Sequence, residues 1–197
     1  MENIRNFSYD EIETHFLKIG EKKFRAKQVW EWLWQKHATS FEDMTNLSKD
    51  LRQKLESEFT LPALRVDAIQ HSDDGTIKSR FKTFDDHLVE GVLIPTEKRK
   101  TACVSSQIGC SLSCKFCATG YMDRKRNLSY DEIYDQVVLL NKQSEATYNQ
   151  KLSNIVFMGM GEPLLNYKNV LKAIERISAE DGLFMSQTRI TVSTAGV

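Results

Sequence analysis

Three hydrophobic patterns follow one another along the chain. Over residues 1 to about 60, apolar positions recur at helical spacing between polar caps. Ser8-Tyr9-Asp10-Glu11 has the capping-box form and opens a helix that Gly20 stops. Phe24 to His37 forms a second helix, rich in aromatic residues: Phe24, Trp30, Trp32 and Trp34. Ser40 and Ser48 cap two further short helices, the last ending near Phe59, and Pro62 marks the exit. Large aromatics mostly serve packing, so the tryptophans are read as the core of this helical module. Lys22, Lys23, Arg25 and Lys27 form a small basic group, read as a solvated face.

From residue 64 to about 107 the period shortens to two. Arg65 to His71, Thr76 to Phe84 and His87 to Ile94 all alternate, and Asp74-Gly75 is a hairpin signal between the first two. Pro95 to Lys100 is a polar turn, and Thr101 to Ile108 leads onward as the last strand of a small antiparallel β unit.

The third pattern is β, α, β, α, β. Ser129-Tyr130-Asp131-Glu132 is another capping box and opens a helix to about Lys142, with Ile133, Val137, Val138 and Leu140 as its buried positions. Asn154 to Met158 is a short apolar strand, Gly159 to Pro163 a tight turn, Tyr167 to Ser178 a helix, and Arg189 to Ser193 a third strand. Alternating strands and helices imply a parallel sheet whose ligands gather at the carboxyl ends of the strands. The fold class is therefore α/β, organised as a helical domain over 1–62, a short antiparallel unit over 63–107 and a parallel region over 108–197. A bare strand edge just before Val197 reads as a piece of a longer enzyme.

Composition narrows the setting. Of 197 residues, 41% are hydrophobic, enough for a buried core, and 27% are charged with a formal net charge of zero. Global charge therefore gives no support to nucleic-acid binding, and any such surface must be local. The polar N-terminus lacks the apolar stretch of a secretion signal, and no apolar run suffices to span a bilayer, so a cytoplasmic location without a membrane partner is expected. All four cysteines lie between Cys103 and Cys117, a bunching that suits a metal or redox site in a reducing compartment better than disulfide staples.

Within Gly109 to Gly120, GCSLSCKFCATG, the cysteines Cys110, Cys114 and Cys117 are spaced C-x3-C-x2-C. Such a loop can curl so that three thiolates point at a common centre. Thiolates are the ligands of iron–sulfur clusters, and three of them leave one iron of a cubane open to a small molecule. Zinc is the alternative, with Cys103, His71 or His87 as a fourth ligand, although structural zinc usually takes four ligands in two closely spaced pairs. Phe116, between the last two cysteines, is placed to cover the cluster from water. The turn Gly159-Met160-Gly161-Glu162-Pro163 allows close backbone approach and puts a carboxylate at a strand's end, where it can receive an ammonium group.

A C-x3-C-x2-C loop followed by a Gly-Glu-Pro turn after the next strand resembles the radical S-adenosylmethionine (SAM) superfamily. The strings CVSSQIGCSLSCKFCATG, RNLSYDEI, GMGEPLLNY and ITVSTAGV, with the helical part and the β unit, resemble the RNA adenine-C2 methyltransferases of the RlmN family over essentially the whole chain. The resemblance implies an incomplete radical-SAM (β/α) barrel behind the helical domain and the antiparallel unit. It implies a 4Fe–4S cluster on Cys110, Cys114 and Cys117, and SAM contacted by Gly161, Glu162 and Ser193. Glu90 matches a proton acceptor, and Cys103 a cysteine that helps release the methylated base from a covalent adduct. The implied reaction uses SAM twice, once to methylate a second cysteine and once as a radical source, because adenine C2 is not nucleophilic. The implied partners are 23S rRNA, some tRNAs and an electron donor such as a flavodoxin-type protein.

The sequence also departs from that pattern. No cysteine follows Cys117 to carry the methyl group, so this piece is not expected to complete methylation; 2-methyladenosine formed on rRNA fragments would refute that. Asp123 and Arg124 stand where the commoner pattern has Gly-Phe. A related adenine-C8 methyltransferase and a metal-bearing RNA-binding module without catalysis remain the other readings. Lys98 to Lys100, Lys115 and Arg124 to Arg126 together offer a local surface for RNA phosphate.

Overall fold

The capping signals near the N-terminus produce the helices they announce. In the computed structural model, which describes residues 1–197, β1 (Glu2–Asn3) precedes α1 (Tyr9–Lys18), α2 (Lys23–Trp34), α3 (Lys49–Glu58) and β2 (Phe59–Thr60). Ser8 Oγ accepts from the Glu11 N–H at 3.3 Å, and Glu11 accepts from the Ser8 N–H at 2.7 Å. Gly20 leaves α1 with φ +82°. Ser48 caps α3, whereas Ser40 opens only a 3-10 turn, Phe41–Asp43. These elements, with residues 180–183, form one compact unit; residues 64–179 and 184–197 form the other.

The aromatic positions of the first unit divide. Trp34 is fully buried among Phe16, Leu33 and Met44 as core residues. Trp30 and Trp32 are half-buried, and Phe24 is 49% exposed with the Arg25 guanidinium 4.9 Å from its ring centre. The Trp32 N–H donates to Asn46 Oδ1 at 2.6 Å. Trp30 and Trp34, four residues apart, share the packed side of α2 with their rings 5.9 Å apart edge to face, and Trp32 lies on the other side.

The second unit is built on one six-stranded sheet. Its strands are β3 (Arg65–His71), β4 (Ile77–Lys82), β5 (Leu88–Pro95), β6 (Lys100–Cys103), then β9 (Asn154–Phe157) and β10 (Ile190–Val192). Between β6 and β9 come a two-stranded ribbon, β7 (Gln107–Ile108) and β8 (Arg126–Asn127), and α4 (Tyr130–Tyr148); α5 (Tyr167–Ser178) lies between β9 and β10. The order is β10-β9-β6-β5-β4-β3, antiparallel from β3 to β6 and parallel across β6, β9 and β10. The antiparallel stretch and the parallel region thus share β6 and are continuous.

Alternation fixes which face is covered. Ile77, Ser79 and Phe81 of β4 and Val89, Gly91 and Leu93 of β5 are buried on one face. Ile133, Val137, Val138 and Leu140 of α4 are all buried, as expected, although the helix runs on past Lys142 to Tyr148. The opposite face carries Lys78, Arg80, Glu90 and Val92. No helix is long and apolar enough to cross a membrane.

Candidate cofactor site at the ends of three parallel strands

Because β6, β9 and β10 are parallel neighbours, the segments that follow them leave the sheet at the same edge. These segments are the cysteine loop, the Gly-Glu-Pro turn and Ser193 to Gly196. Hydrogen bonds join them. The Ser106 and Gln107 N–H groups both donate to Met160 O, at 2.9 and 3.2 Å. Glu162 Oε1 accepts from the Leu164 N–H at 2.9 Å and the Thr194 hydroxyl at 2.7 Å, and Oε2 accepts from the Ala195 N–H at 2.8 Å.

Glu162 is buried, and burial by itself pushes its carboxyl up. The backbone donors of Ala195 and Leu164, with the Thr194 hydroxyl, outweigh burial and hold it below the usual carboxylate value. A carboxylate offers about four lone-pair sites; three are used here, so capacity for one more donor remains. Ser193 is exposed beside this bridge. The adjoining Thr194 and Ala195, in the same stretch at the strand's end, make the contacts to Glu162.

Gly161 adopts φ +93°, and a Cβ there would lie 2.4 Å from Gln107 Cβ. A side chain is thus excluded both by backbone conformation and by the close approach of the two segments. Gly161→Ala is expected to lower stability by at least about 2 kcal/mol and to displace the turn; urea unfolding would measure it, and a midpoint within error of the parent would contradict it. Gly109, at the entry to the cysteine loop, has φ +73°, and its Cβ would lie 2.1 Å from Asp123 O.

Cys110, Cys114 and Cys117 are free and half-buried, with neighbours Ser111, Ser113, Lys115 and Phe116 exposed. The loop is held by Cys117 N–H to Cys114 O at 3.0 Å and Gly120 N–H to Cys117 O at 2.9 Å, and the Leu112 N–H points at Cys110 Sγ at 3.4 Å. Without a bound cluster, no group of three or more His, Cys, Asp or Glu side chains is drawn close enough to hold a metal ion. Thiols attract one another weakly, so the chain alone has nothing to draw them together, and a metal supplies that energy. The donor set still fits an iron–sulfur cluster, being three unpaired thiols on one short loop. Phe116 is 93% exposed and does not shield the loop.

Cys103 and Glu90 fall on one face of the sheet, Glu90 half-exposed and Cys103 buried. Cys103 sits opposite Val92, and Glu90, two residues before Val92, therefore shares its face. Glu90 makes an ion pair with Lys78 at 2.8 Å. Burial pushes the Cys103 thiol up, against a smaller opposing hydrogen bond from the Met158 backbone, so it is a neutral thiol near pH 7.

The proposed phosphate surface loses two members. Lys100 is buried in β6, its Nζ donating to Thr96 O at 2.8 Å and lying 5.1 Å from the Tyr148 ring centre. Arg126 is clamped between carboxylates: it donates to Asp85 Oδ1 and Oδ2 at 2.7 Å, and to Glu132 Oε1 and Oε2 at 2.8 and 2.7 Å. A guanidinium committed to two carboxylates is not free for phosphate. Lys98, Arg99, Lys115, Arg124 and Lys125 remain exposed.

A three-cysteine loop after one strand of a parallel run and a Gly-Glu-Pro turn after the next define a radical SAM domain. Residues 104–197 match the radical SAM superfamily model, and residues 2–61 match the ribosomal RNA large subunit methyltransferase N-terminal domain. A probable dual-specificity RNA methyltransferase RlmN of Cytophaga hutchinsonii is 58% identical over 194 residues, covering 98% of this chain and 53% of the relative. The dual-specificity RNA methyltransferase RlmN of Geobacter sulfurreducens is 45% identical, covering 100% and 53%. A radical SAM methyltransferase structure from Sphaerobacter thermophilus aligns with a TM-score of 0.88 at 36% identity, covering all of this chain and 58% of its own. The chain is strongly similar to RlmN-family radical SAM RNA methyltransferases over nearly its whole length, and its fold is that of a partial radical-SAM barrel behind an N-terminal helical region. It spans about half the length of the curated relatives it matches.

Proposed function

We propose that this chain carries the cofactor-binding and base-handling residues of a radical SAM methyltransferase acting in the cytoplasm on adenine C2 of 23S rRNA and some tRNAs. The observation that supports it most is the strand register. It sets Glu90 and Cys103 on one face of the sheet whose edge carries the cysteine loop and the Glu162 turn.

Cys110, Cys114 and Cys117 would hold a 4Fe–4S cluster, and Gly161, Glu162 and Ser193 would contact SAM. When bound, the two together supply the radical reactivity that an electron-poor carbon such as adenine C2 requires. Glu162 would accept the SAM ammonium with its remaining lone-pair capacity. Glu90 would take the proton lost from the base. Cys103, holding its proton at Sγ until it is needed, would assist release of the product. The helical domain over 1–62 and the exposed Lys98, Arg99, Lys115, Arg124 and Lys125 would meet RNA phosphates. A flavodoxin-type protein would deliver the electron.

The methyl-carrying cysteine implied by the family resemblance has no counterpart among residues 118–197. SAM cleavage is therefore the appropriate test. The anaerobically reconstituted chain, given a chemical reductant and SAM, is expected to release 5′-deoxyadenosine and methionine. A full iron complement with no cleavage would overturn the reading.

A further inference from the structure

The residue that couples the two cofactor segments is not itself one of the assigned ligands. Gln107 is completely buried and stands three residues before Cys110. Its Oε1 accepts from the Glu162 N–H at 2.8 Å, and its Nε2 donates to Asn127 Oδ1 at 2.8 Å. Its main chain pairs with Asn127 in the β7–β8 ribbon and donates to Met160 O. Gly161 packs on its aliphatic carbons with no room for a Cβ. One side chain thus touches the base of the cysteine loop, the returning strand after that loop, and the Gly-Glu-Pro turn.

We propose that Gln107 is a positioning residue that sets the distance between the cysteine loop and the Glu162 turn, with Asn127 holding its amide in the required orientation. A buried amide is held by its hydrogen bonds. With Oε1 and Nε2 both engaged across different segments, neither segment can slide without leaving a buried polar group unsatisfied. A ligand that must touch both an iron on the loop and the carboxylate on the turn binds well only if that spacing is fixed beforehand. Asn127 is steadied in turn by Arg124 Nη2, which donates to its Oδ1 at 2.9 Å, and by its own Nδ2 donating to Leu165 O at 3.2 Å. Arg124 thereby gains a part in the same network.

The inference rests on the cofactor reading above, and the test separates the two. Parent, Gln107→Leu and Asn127→Ala chains are reconstituted anaerobically and reduced. Iron content and the electron paramagnetic resonance spectrum are then recorded as SAM is titrated. The Leu variant is expected to keep the parent's iron content and SAM-free spectrum but to need about tenfold more SAM for the spectral change. Asn127→Ala, which leaves the Gln107–Glu162 bond in place, is expected to need a few-fold more, and it decides the matter if the Leu variant does not fold. A merely structural role would lower the melting temperature and leave the SAM dependence of the folded protein unchanged, which would overturn the proposal. Loss of iron from the folded variants would overturn it too, since Gln107 would then be holding the loop alone. A parent chain with a full cluster and no spectral response to SAM would sink the cofactor reading itself, and this inference with it.

Discussion

Alanine in place of Cys114 is expected to leave the chain folded and to abolish iron uptake. The parent, reconstituted anaerobically, should bind about four irons and show the broad visible absorption of a thiolate-ligated cluster; the variant should bind close to none. The contrast follows from placement. Cys114 lies half-exposed on a loop held by main-chain bonds, so little packing is lost with its sulfur. With one of its three cysteines removed, the loop offers two thiolates, too few to retain a four-iron cubane. Cys103→Ala is the control. Its thiol is buried in β6, outside the C-x3-C-x2-C spacing, and the variant should take up the parent's full iron. Iron and acid-labile sulfide analysis distinguishes the two. Parental iron in Cys114→Ala, or stoichiometric zinc in the parent, would remove the basis for the cluster.

The second large effect concerns Arg126, where the chain returns from the cysteine loop. Its guanidinium bridges Asp85, in the β4–β5 turn, and Glu132, the capping-box residue of α4, with four charge-assisted hydrogen bonds. Glu132 is buried, so Arg126→Ala strands a carboxylate in the interior. Removing one partner of a buried pair costs about 3–5 kcal/mol. Partial exposure of Arg126 and Asp85, 26% and 29%, places the expected loss at about 3 kcal/mol. It would be read as a lower urea midpoint at unchanged slope.

The pH dependence carries the same signature. The Arg126 hydrogen bonds, outweighing burial, hold the Asp85 carboxyl far below its ordinary value. A carboxyl depressed in the folded state stabilises above its unfolded value of about 4, and that contribution drains away as pH falls from there toward the folded value. The parent should therefore lose stability steeply below pH ~4, and Arg126→Ala should lose less over the same interval. Equal acid slopes in both proteins would mean that the bridge seen in the structure is not maintained in solution.

The sequence on its own determined the local elements and the chemistry of their ends. Ser8, Ser48 and Ser129 announced three helices, because a capping side chain acts within one turn of itself. α5 spans Tyr167–Ser178 as its periodicity implied, and β4 and β5 follow their alternation, whereas β3 is exposed along nearly its whole length because it is the edge strand. The C-x3-C-x2-C spacing and the Gly-Glu-Pro turn were legible because ligand chemistry at short range is written in residue order. Tertiary structure alone decided which groups meet across long separations. Gln107 with Glu162, Arg126 with Asp85, and Glu162 with Thr194 are bonds between segments 32 to 55 residues apart, and no local pattern encodes them. Burial withdrew Lys100, and ion pairs with Asp85 and Glu132 withdrew Arg126, from the basic positions the sequence offered for phosphate, since those partners come from elsewhere in the fold.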